Sequence, residues 1–508
     1  MESVALMTRK WLAILVSALL ATGCASLQPV DTPEEHTPAP AHTAFWNAID
    51  SAESGDWHYL LNDGPTALDW RLKAIDSATD SIELQTFLWS LDTVGRLVID
   101  HLLDAADRGV SVRILVDDSF LVAQEEFLAA FGEHANIEYR VFNPYKRRHG
   151  QQLTRELLNL GEFHRLDHRM HNKAMVVDNQ LAIVGGRNLA DEYFGLHSDA
   201  NFRDLEMIVG GAIVEDISAT FDDYWNDQWS FPIETISHTR PSSTALAEAR
   251  LDSRAVSQLH VEKGREELLG EWLAVVAAAD PGQTTLYADK PPGENPGDSE
   301  SAPVQVGNEL IALFDSADTE IVIVSAYLIP TPDLEGAVAR ALGRGVDVRM
   351  LTNSLRSNNH VTAHSAYRKH IHTLLEQGAS LHEVRADAQD RTKYMLSPVE
   401  RKLLALHAKA LIIDNDEVFI GSTNLDPRSL RINTEMGLLV TSRSFNQAVR
   451  DAVDDDFSST NAWHLQLEDD GNIVWVSGNL VLDIPPANSF MQRIEDWFFA
   501  LLPIEDEM

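Results

Sequence analysis

Cysteine is almost missing: Cys24 is the only one in 508 residues, so no disulfide can form within the chain and a disulfide scaffold is excluded. Basic residues are scarce too, with 40 Lys and Arg against 78 Asp and Glu and a net charge of −38. That balance repels polyanions at long range and leaves no broad basic footprint for nucleic acid, although a local positive pocket is compatible with it. Nor is there a run of about 20 apolar residues that would span a bilayer, although 44% of the chain is apolar. The composition is therefore that of a globular protein with room for two or three domains.

The position of the single cysteine gives it a meaning. Arg9-Lys10, an apolar run from Trp11 to Ala21 and the small residues Thr22-Gly23 precede it, which is the layout of a secretory leader. Ala21-Thr22-Gly23-Cys24 resembles a bacterial lipobox, in which the cysteine becomes the lipidated first residue after cleavage. Residues 1–23 are accordingly expected to be a lipoprotein signal peptide, with Met7 as an alternative start, and Cys24 a lipid anchor. Residues 24–55, rich in Pro, Thr, Ala and His, are expected to be a flexible tether.

What the chain does have, it has twice. His171-x-Lys173-x4-Asp178 returns as His407-x-Lys409-x4-Asp414, and each copy runs into an apolar hairpin, AMVVDNQLAIVGGRNL and then ALIIDNDEVFIGSTNL. One offset, 407 − 171 = 236, relates the histidines, the lysines, the aspartates, Gly185 to Gly421 and Asn188 to Asn424. Five residue types in one register imply a duplicated half-site.

The repeat extends to the fold. Strand 82–88, helix 94–107, strand 111–116, helix 123–131 and strand 137–142 are matched by strand 321–328, helix 333–343 and strand 347–352. Strands alternating with helices imply sheets, mixed and mainly parallel, covered by helices. The expected division is a first α/β domain at 56–280, a Pro/Gly-rich connector at 281–303, a second α/β domain at 304–460, and a hairpin and amphipathic helix at 461–508. In that last helix Ser489 is the expected N-cap, and Phe490, Ile494, Trp497, Phe498 and Leu501 fall near one face.

Residues two apart on a strand point the same way, so His171 and Lys173 share a face, as do His407 and Lys409. An imidazole beside an ammonium binds phosphate. Cleaving a phosphodiester requires a nucleophile at phosphorus, neutralisation of the non-bridging oxygens and a proton for the departing alkoxide. Two histidines supply the first and last, while Lys173, Lys409, Asn188 and Asn424, with Ser422 or Thr423, suit the second. A nucleophilic histidine works best when a carboxylate holds its other nitrogen; Glu206 and Glu435, each followed by Met and an apolar strand, are the expected orienters, with Asp204 as the alternative in the first half. Asp178 and Asp414 are read as turn residues or support behind the site. Arg428 and Ser429 either hold a phosphate or cap a helix. His164 and His168 are candidates for the pocket wall, and His360 and His364 for a zinc pair that nothing in the pattern completes, so no metal is expected.

These residues are the signature of the phospholipase D superfamily, which the chain resembles across both halves. GSTNLDPRSLRINTEMG at 421–437 resembles the bacterial cardiolipin synthase branch; the first copy departs from it with GGRNLADEYFG. The resemblance implies two duplicated α/β/α domains packed as a pseudo-dimer around one shared active site. It implies a ping-pong reaction through a phosphohistidine with no cofactor, His171 as nucleophile and His407 as acid, although symmetry permits the reverse. It implies phosphatidyl transfer to phosphatidylglycerol, with phosphatidylethanolamine as a possible further substrate, on the periplasmic side of a bacterial envelope. Ala25, in place of the Asp associated with inner-membrane retention, points to the outer membrane. The alternatives are a phospholipase D that uses water as acceptor, a nuclease, which the acidic charge disfavours, and an inert lipid-binding lipoprotein.

Overall fold

The computed structural model describes residues 27–52, 55–121, 125–148, 152–237, 242, 244–257, 263–292 and 303–502. The leader at 1–23 and Cys24 lie outside the described residues.

Each half is built on one sheet. In the first, nine strands run in the order Asp280–Pro281, Trp57–Leu61, Glu206–Gly210, Leu181–Gly185, Ala174–Val177, Ser81–Thr86, Ser111–Asp117, Ile137–Phe142, Ser230–Pro232. The ten-stranded second sheet repeats the central order with Gln283–Ala288, Met436–Thr441, Glu417–Gly421, Lys409–Ile413, Glu320–Ser325, Asp347–Asn353 and Ser380–Val384, then adds the C-terminal hairpin Ala462–Leu467 and Ile473–Ser477 and the edge strand Leu480–Leu482. The duplicated α/β architecture is therefore as expected, but the sheets are mixed and not mainly parallel. Only three adjacent strands in each half are parallel to one another. The reason is local: each motif strand returns through a tight turn, and a hairpin closed that way pairs antiparallel.

The halves meet through an apolar layer between the two sheets, with Val176, Val184, Met207 and Val209 of one against Val322, Ile412, Val418 and Leu438 of the other. Separate cores lie between each sheet and its outer helices. Burial on both faces explains why the motif strands read as unbroken apolar runs. A small two-stranded parallel sheet stitches the halves together by pairing Leu403–Leu406 with Ala200–Arg203.

Two segments depart from the expected organisation. The supposed connector begins as structure: Asp280–Pro281 closes the first sheet and Gln283–Ala288 opens the second, so the chain changes halves at Gly282. A Cβ there would lie 2.8 Å from the Ser442 side chain and 3.0 Å from the Thr441 carbonyl, which is why glycine is needed. The supposed tether packs against the first domain over residues 27–52. The Thr37 N–H donates to Asp222, Trp225 donates to Glu35, and helix Ala44–Asp50 buries Phe45, Trp46 and Ile49. A Pro-rich composition concealed these apolar anchors.

The Trp46 indole donates to Asp178 at 2.6 Å. That carboxylate also accepts from the Thr79 N–H and hydroxyl and from the N–H groups of Asp80 and Ser81, all at 2.6–2.9 Å. Asp414 accepts the equivalent bonds from Asp318, Thr319 and Glu320. Both aspartates sit at positive φ, 53° and 48°, which Asp tolerates in turns. Asp178→Ala strands several buried donors and should lower unfolding stability by about 3 kcal/mol, against about 1 kcal/mol for Asp414→Ala, whose donors reach water. Denaturant titration of the two variants measures the difference.

Candidate active site

His171 and Lys173 stand just before strand Ala174–Val177, and His407 and Lys409 lie at the start of Lys409–Ile413. Each His residue is held from the other half. The His171 N–H donates to the Thr434 carbonyl at 2.9 Å, and the His407 N–H to the Arg203 carbonyl at 2.8 Å. The side chains cross in the same way: His171 Nδ1 meets both Glu435 oxygens at 2.9 and 3.0 Å, and His407 Nδ1 meets Asp204 Oδ2 at 2.7 Å. With its Nδ1–H committed to the carboxylate behind it, each neutral ring turns Nε2 toward the cavity that both rings line.

Glu206, the expected orienter, is elsewhere. Its carboxylate is buried against Arg71 at 2.7 Å and Arg187 at 3.4 Å. Sheet register explains the correction. Gly185 pairs with Glu206 in the first half and Gly421 with Gly437 in the second, so Glu206 corresponds to Gly437 and Asp204 to Glu435. The distances from histidine to carboxylate are then 204 − 171 = 33 and 435 − 407 = 28 residues. The shared Glu-Met dipeptide suggested an alignment two residues out of step.

The same register accounts for the departure of GGRN from GSTN. A Cβ on Gly186 would sit 2.2 Å from Asp204 Oδ1, so that position must be glycine where the carboxylate is Asp204. At the equivalent place Ser422 is small enough to remain and hydrogen-bonds Glu435. It thereby supports the carboxylate and does not face the cavity. Arg187, standing where the second copy has Thr423, adds a longer contact to the Arg71–Glu206 pair.

Charge in the site is balanced and dry. Burial pulls Lys173 down to about 7 and Lys409 down to about 8, against the pull of Glu435 and Asp204. Burial pushes Glu435 up to about 7 despite Lys173 and Ser422. Burial would raise Asp204 likewise, but His407, Lys409 and Arg187 carry it down to about 2. Burial and the lysines lower both histidines, His407 to about 3. Each lysine ammonium folds back onto the carbonyl of its own histidine.

The cavity, about 510 Å³, is lined by His171, His407, Asn188 and Asn424 together with Phe87, Phe120, Phe202, Tyr327 and Ile329. Asn188 is clamped by Leu88 N–H and the Tyr193 hydroxyl, whereas Asn424 Oδ1 is buried without a protein partner. Arg428 reaches the cavity from helix Pro427–Arg431 and bridges to Asp167 of the first half. The cap of that helix is Asp426, which accepts from the Ser429 N–H. His360 faces the cavity, but His364 turns away to Asp496, so the two share no ligand site. His168 bonds the Ile432 carbonyl outside the cavity wall.

The profile described as "Cardiolipin synthase, PLD-like domain" matches residues 72–225 and 310–457. The chain belongs to this PLD-like family. It is 32% identical over 450 residues to cardiolipin synthase C of Escherichia coli (strain K12), covering 86% of this chain and 92% of that one. Cardiolipin synthase B of Shigella flexneri is 24% identical, over 79% and 80% of the two chains. Among solved structures, phosphatidylserine synthase of Haemophilus influenzae Rd KW20 shares the fold, with a TM-score of 0.56 at 14% identity over 83% of this chain and 92% of that one. The protein is thus an enzyme of the phospholipase D superfamily, with its two family domains folded around one shared cavity.

Replacing Asp204 with Asn frees the His407 tautomer and should lower kcat by about 100-fold or more. Glu206→Gln breaks a buried ion pair and should lower stability by about 3 kcal/mol, while the folded fraction retains its turnover. Steady-state kinetics normalised to folded protein separate the two.

Proposed function

We propose that the protein is a phosphatidyltransferase of the cardiolipin synthase type. The observation that carries this reading is the pair of crossed carboxylate–histidine dyads opening into one apolar-walled cavity, in a chain whose similarity to cardiolipin synthase C spans most of both proteins. His171 Nε2 attacks phosphorus of the donor phospholipid. An N–P bond forms, the P–O bond to the headgroup alcohol breaks, and His407 gives that alkoxide its proton. The free glycerol hydroxyl of phosphatidylglycerol then enters, loses its proton to His407 and attacks phosphorus, which releases His171 and forms cardiolipin. Lys173, Lys409, Asn188 and Asn424 hold the phosphoryl oxygens.

The unlike carboxylate partners support this division of roles. His171 must be neutral to attack, and its partner Glu435 is only half charged near pH 7. His407 must carry a proton at the moment of cleavage, and Asp204, ionised throughout the neutral range, is the better partner for an imidazolium. An incoming phosphodiester brings a further negative charge and raises the proton affinity of both rings.

Anchoring through Cys24 on the periplasmic face of a bacterial envelope, at the outer membrane, completes the reading. It rests on the leader-like sequence before Cys24 and on Ala25, not Asp, after it.

Labelled phosphatidylglycerol, with and without phosphatidylethanolamine, tests the reaction directly. Cardiolipin is the expected product, and ethanolamine release would name the second lipid as donor. Phosphatidic acid alone overturns transfer in favour of hydrolysis, and DNA cleavage without lipid product overturns both. With a phosphatidyl-p-nitrophenol substrate, whose leaving group needs no acid, the His407→Ala variant should accumulate label on His171; label on His407 in the reciprocal variant reverses the roles.

The pH dependence has a definite sign. As pH falls through about 7, Glu435 takes up a proton and no longer accepts from His171. As pH rises through about 7 to 8, Lys173 and Lys409 lose the charge that binds phosphate. The kcat/KM profile should therefore be a narrow bell close to neutrality. Glu435→Gln should remove the acid limb and lower the maximum by about 100-fold.

A further inference from the structure

Helix Phe490–Ala500 is docked in reverse. An amphipathic helix ordinarily buries its apolar stripe and shows its polar side to water. Here Asp496 is the one buried residue of the helix. Its Oδ1 meets His364 Nδ1 at 2.7 Å and accepts from the Ser365 hydroxyl at 3.1 Å, while Oδ2 accepts from Arg368 at 2.8 Å. Phe490, Met491, Ile494, Trp497, Phe498 and Leu501 are left outside, with Phe490 74% and Trp497 58% exposed. At positions i, i+4, i+7, i+8 and i+11, Phe490, Ile494, Trp497, Phe498 and Leu501 form one continuous face. Leu480, Val481 and Ile484, in the segment leading to the helix, are also exposed. A soluble protein does not hold so many large apolar side chains in water without a use for them.

The element beneath this helix decides what the face is for. Helix Val361–Tyr367 carries His364 and Ser365 toward Asp496, and the same helix with its cap residue lends His360, Thr362 and Ala363 to the wall of the catalytic cavity. The apolar face is therefore one helix away from the cavity. Aromatic and aliphatic side chains of this kind on a short helix suit the boundary between headgroups and acyl chains. No helix among the described residues is long and apolar enough to cross a membrane, so contact at the surface is the mode this face can serve.

We propose that the outward face of helix Phe490–Ala500 docks on a phospholipid bilayer and holds the mouth of the catalytic cavity at the lipid surface. The proposal deepens the phosphatidyltransferase reading and rests on it for the choice of occupant. Phospholipid leaving a bilayer must otherwise draw its acyl chains through water, and a seated cavity mouth shortens that path.

The test uses the full chain carrying Cys24→Ser and one new cysteine, at Phe498→Cys on the face or at Glu266→Cys on the exposed first turn of helix Arg265–Ala278, each labelled with an environment-sensitive dye. Vesicles of phosphatidylglycerol and phosphatidylethanolamine should shift the dye at 498 to the blue, with quenching by brominated acyl chains, and leave the dye at 266 unchanged. No shift at 498, or equal shifts at both positions, overturns docking. A shift without lipid, with a sedimenting dimer that Trp497→Asp abolishes, overturns it in favour of a second copy of the chain. As a second measurement, the double variant Trp497→Asp, Phe498→Asp should lose most activity on vesicles and keep its activity on monomeric short-chain phosphatidylglycerol; equal activity on both relative to the parent overturns the proposal. A dye that enters lipid in a protein making no phospholipid product leaves docking standing and removes the phosphatidyltransferase reading. Product formation with the dye still in water does the opposite.

Discussion

The rest of the structure depends on an exchange across the interface: each half gives its histidine to the carboxylate of the other. A dyad formed within one half could survive some sliding of the sheets. Dyads formed between halves at 2.7–3.0 Å tolerate none, so the halves must be locked, and several independent features lock them. The Val- and Leu-rich layer between the sheets supplies non-directional cohesion. The pairing of Leu403–Leu406 with Ala200–Arg203 adds direction, because it runs straight into His407 on one side and Asp204 on the other. The Arg203 guanidinium, buried against Asp456 at 2.8 Å, fixes the strand end from behind.

Burying Lys173, Lys409, Asp204 and Glu435 together is costly even with the charges balanced, because removing ions from water offsets much of their mutual attraction. The cost appears in the titration of the group: Lys173 and Glu435 both sit near 7, poised to trade a proton. A site held that way responds strongly to one added negative charge, and a phosphodiester brings one. The duplication does not make the two dyads equal. Gly186 leaves room for a short carboxylate that stays ionised, whereas Ser422 hydrogen-bonds a longer one lifted toward neutrality. One substitution on each side of an otherwise repeated hairpin converts a symmetric fold into two histidines with different partners.

Most of the fold could be read from the sequence because the repeat is long and in register. The strands at 81–86, 111–117, 137–142, 320–325 and 347–353 lie where their apolar runs put them, and the histidines, lysines and asparagines stand out through a common offset. What escaped was of another kind. Asp204 was outweighed by Glu206 because a shared dipeptide is visible in sequence while the pairing of Gly185 with Glu206 is visible only in the sheet. The crossing of partners had no local signal, since it depends on how the two sheets stack. The strap at 27–50 looked like a tether because Pro, Thr and His outnumber its few anchors, yet Trp46 and the Ala41 N–H both tie it to Asp178.

That turn also bears on how charge and substrate are reconciled. A chain of net charge −38 cannot draw an anionic substrate from solution by its long-range field, which is repulsive at distance. In the proposed reaction the lysines must act at contact range from a dry pocket, where attraction is strong and screening by salt is weak. The fold arranges this by seating Lys173 directly before its motif strand and Lys409 at the first position of the other, both buried. Several other carboxylates serve structure: Asp178 and Asp414 at turns, Asp92, Asp63 and Asp426 at helix starts, and Asp118, Asp222 and Asp456 on buried arginines. In the proposed reaction a substrate confined to a membrane arrives by lateral diffusion along the surface, a route on which the global field has little leverage and the local site decides.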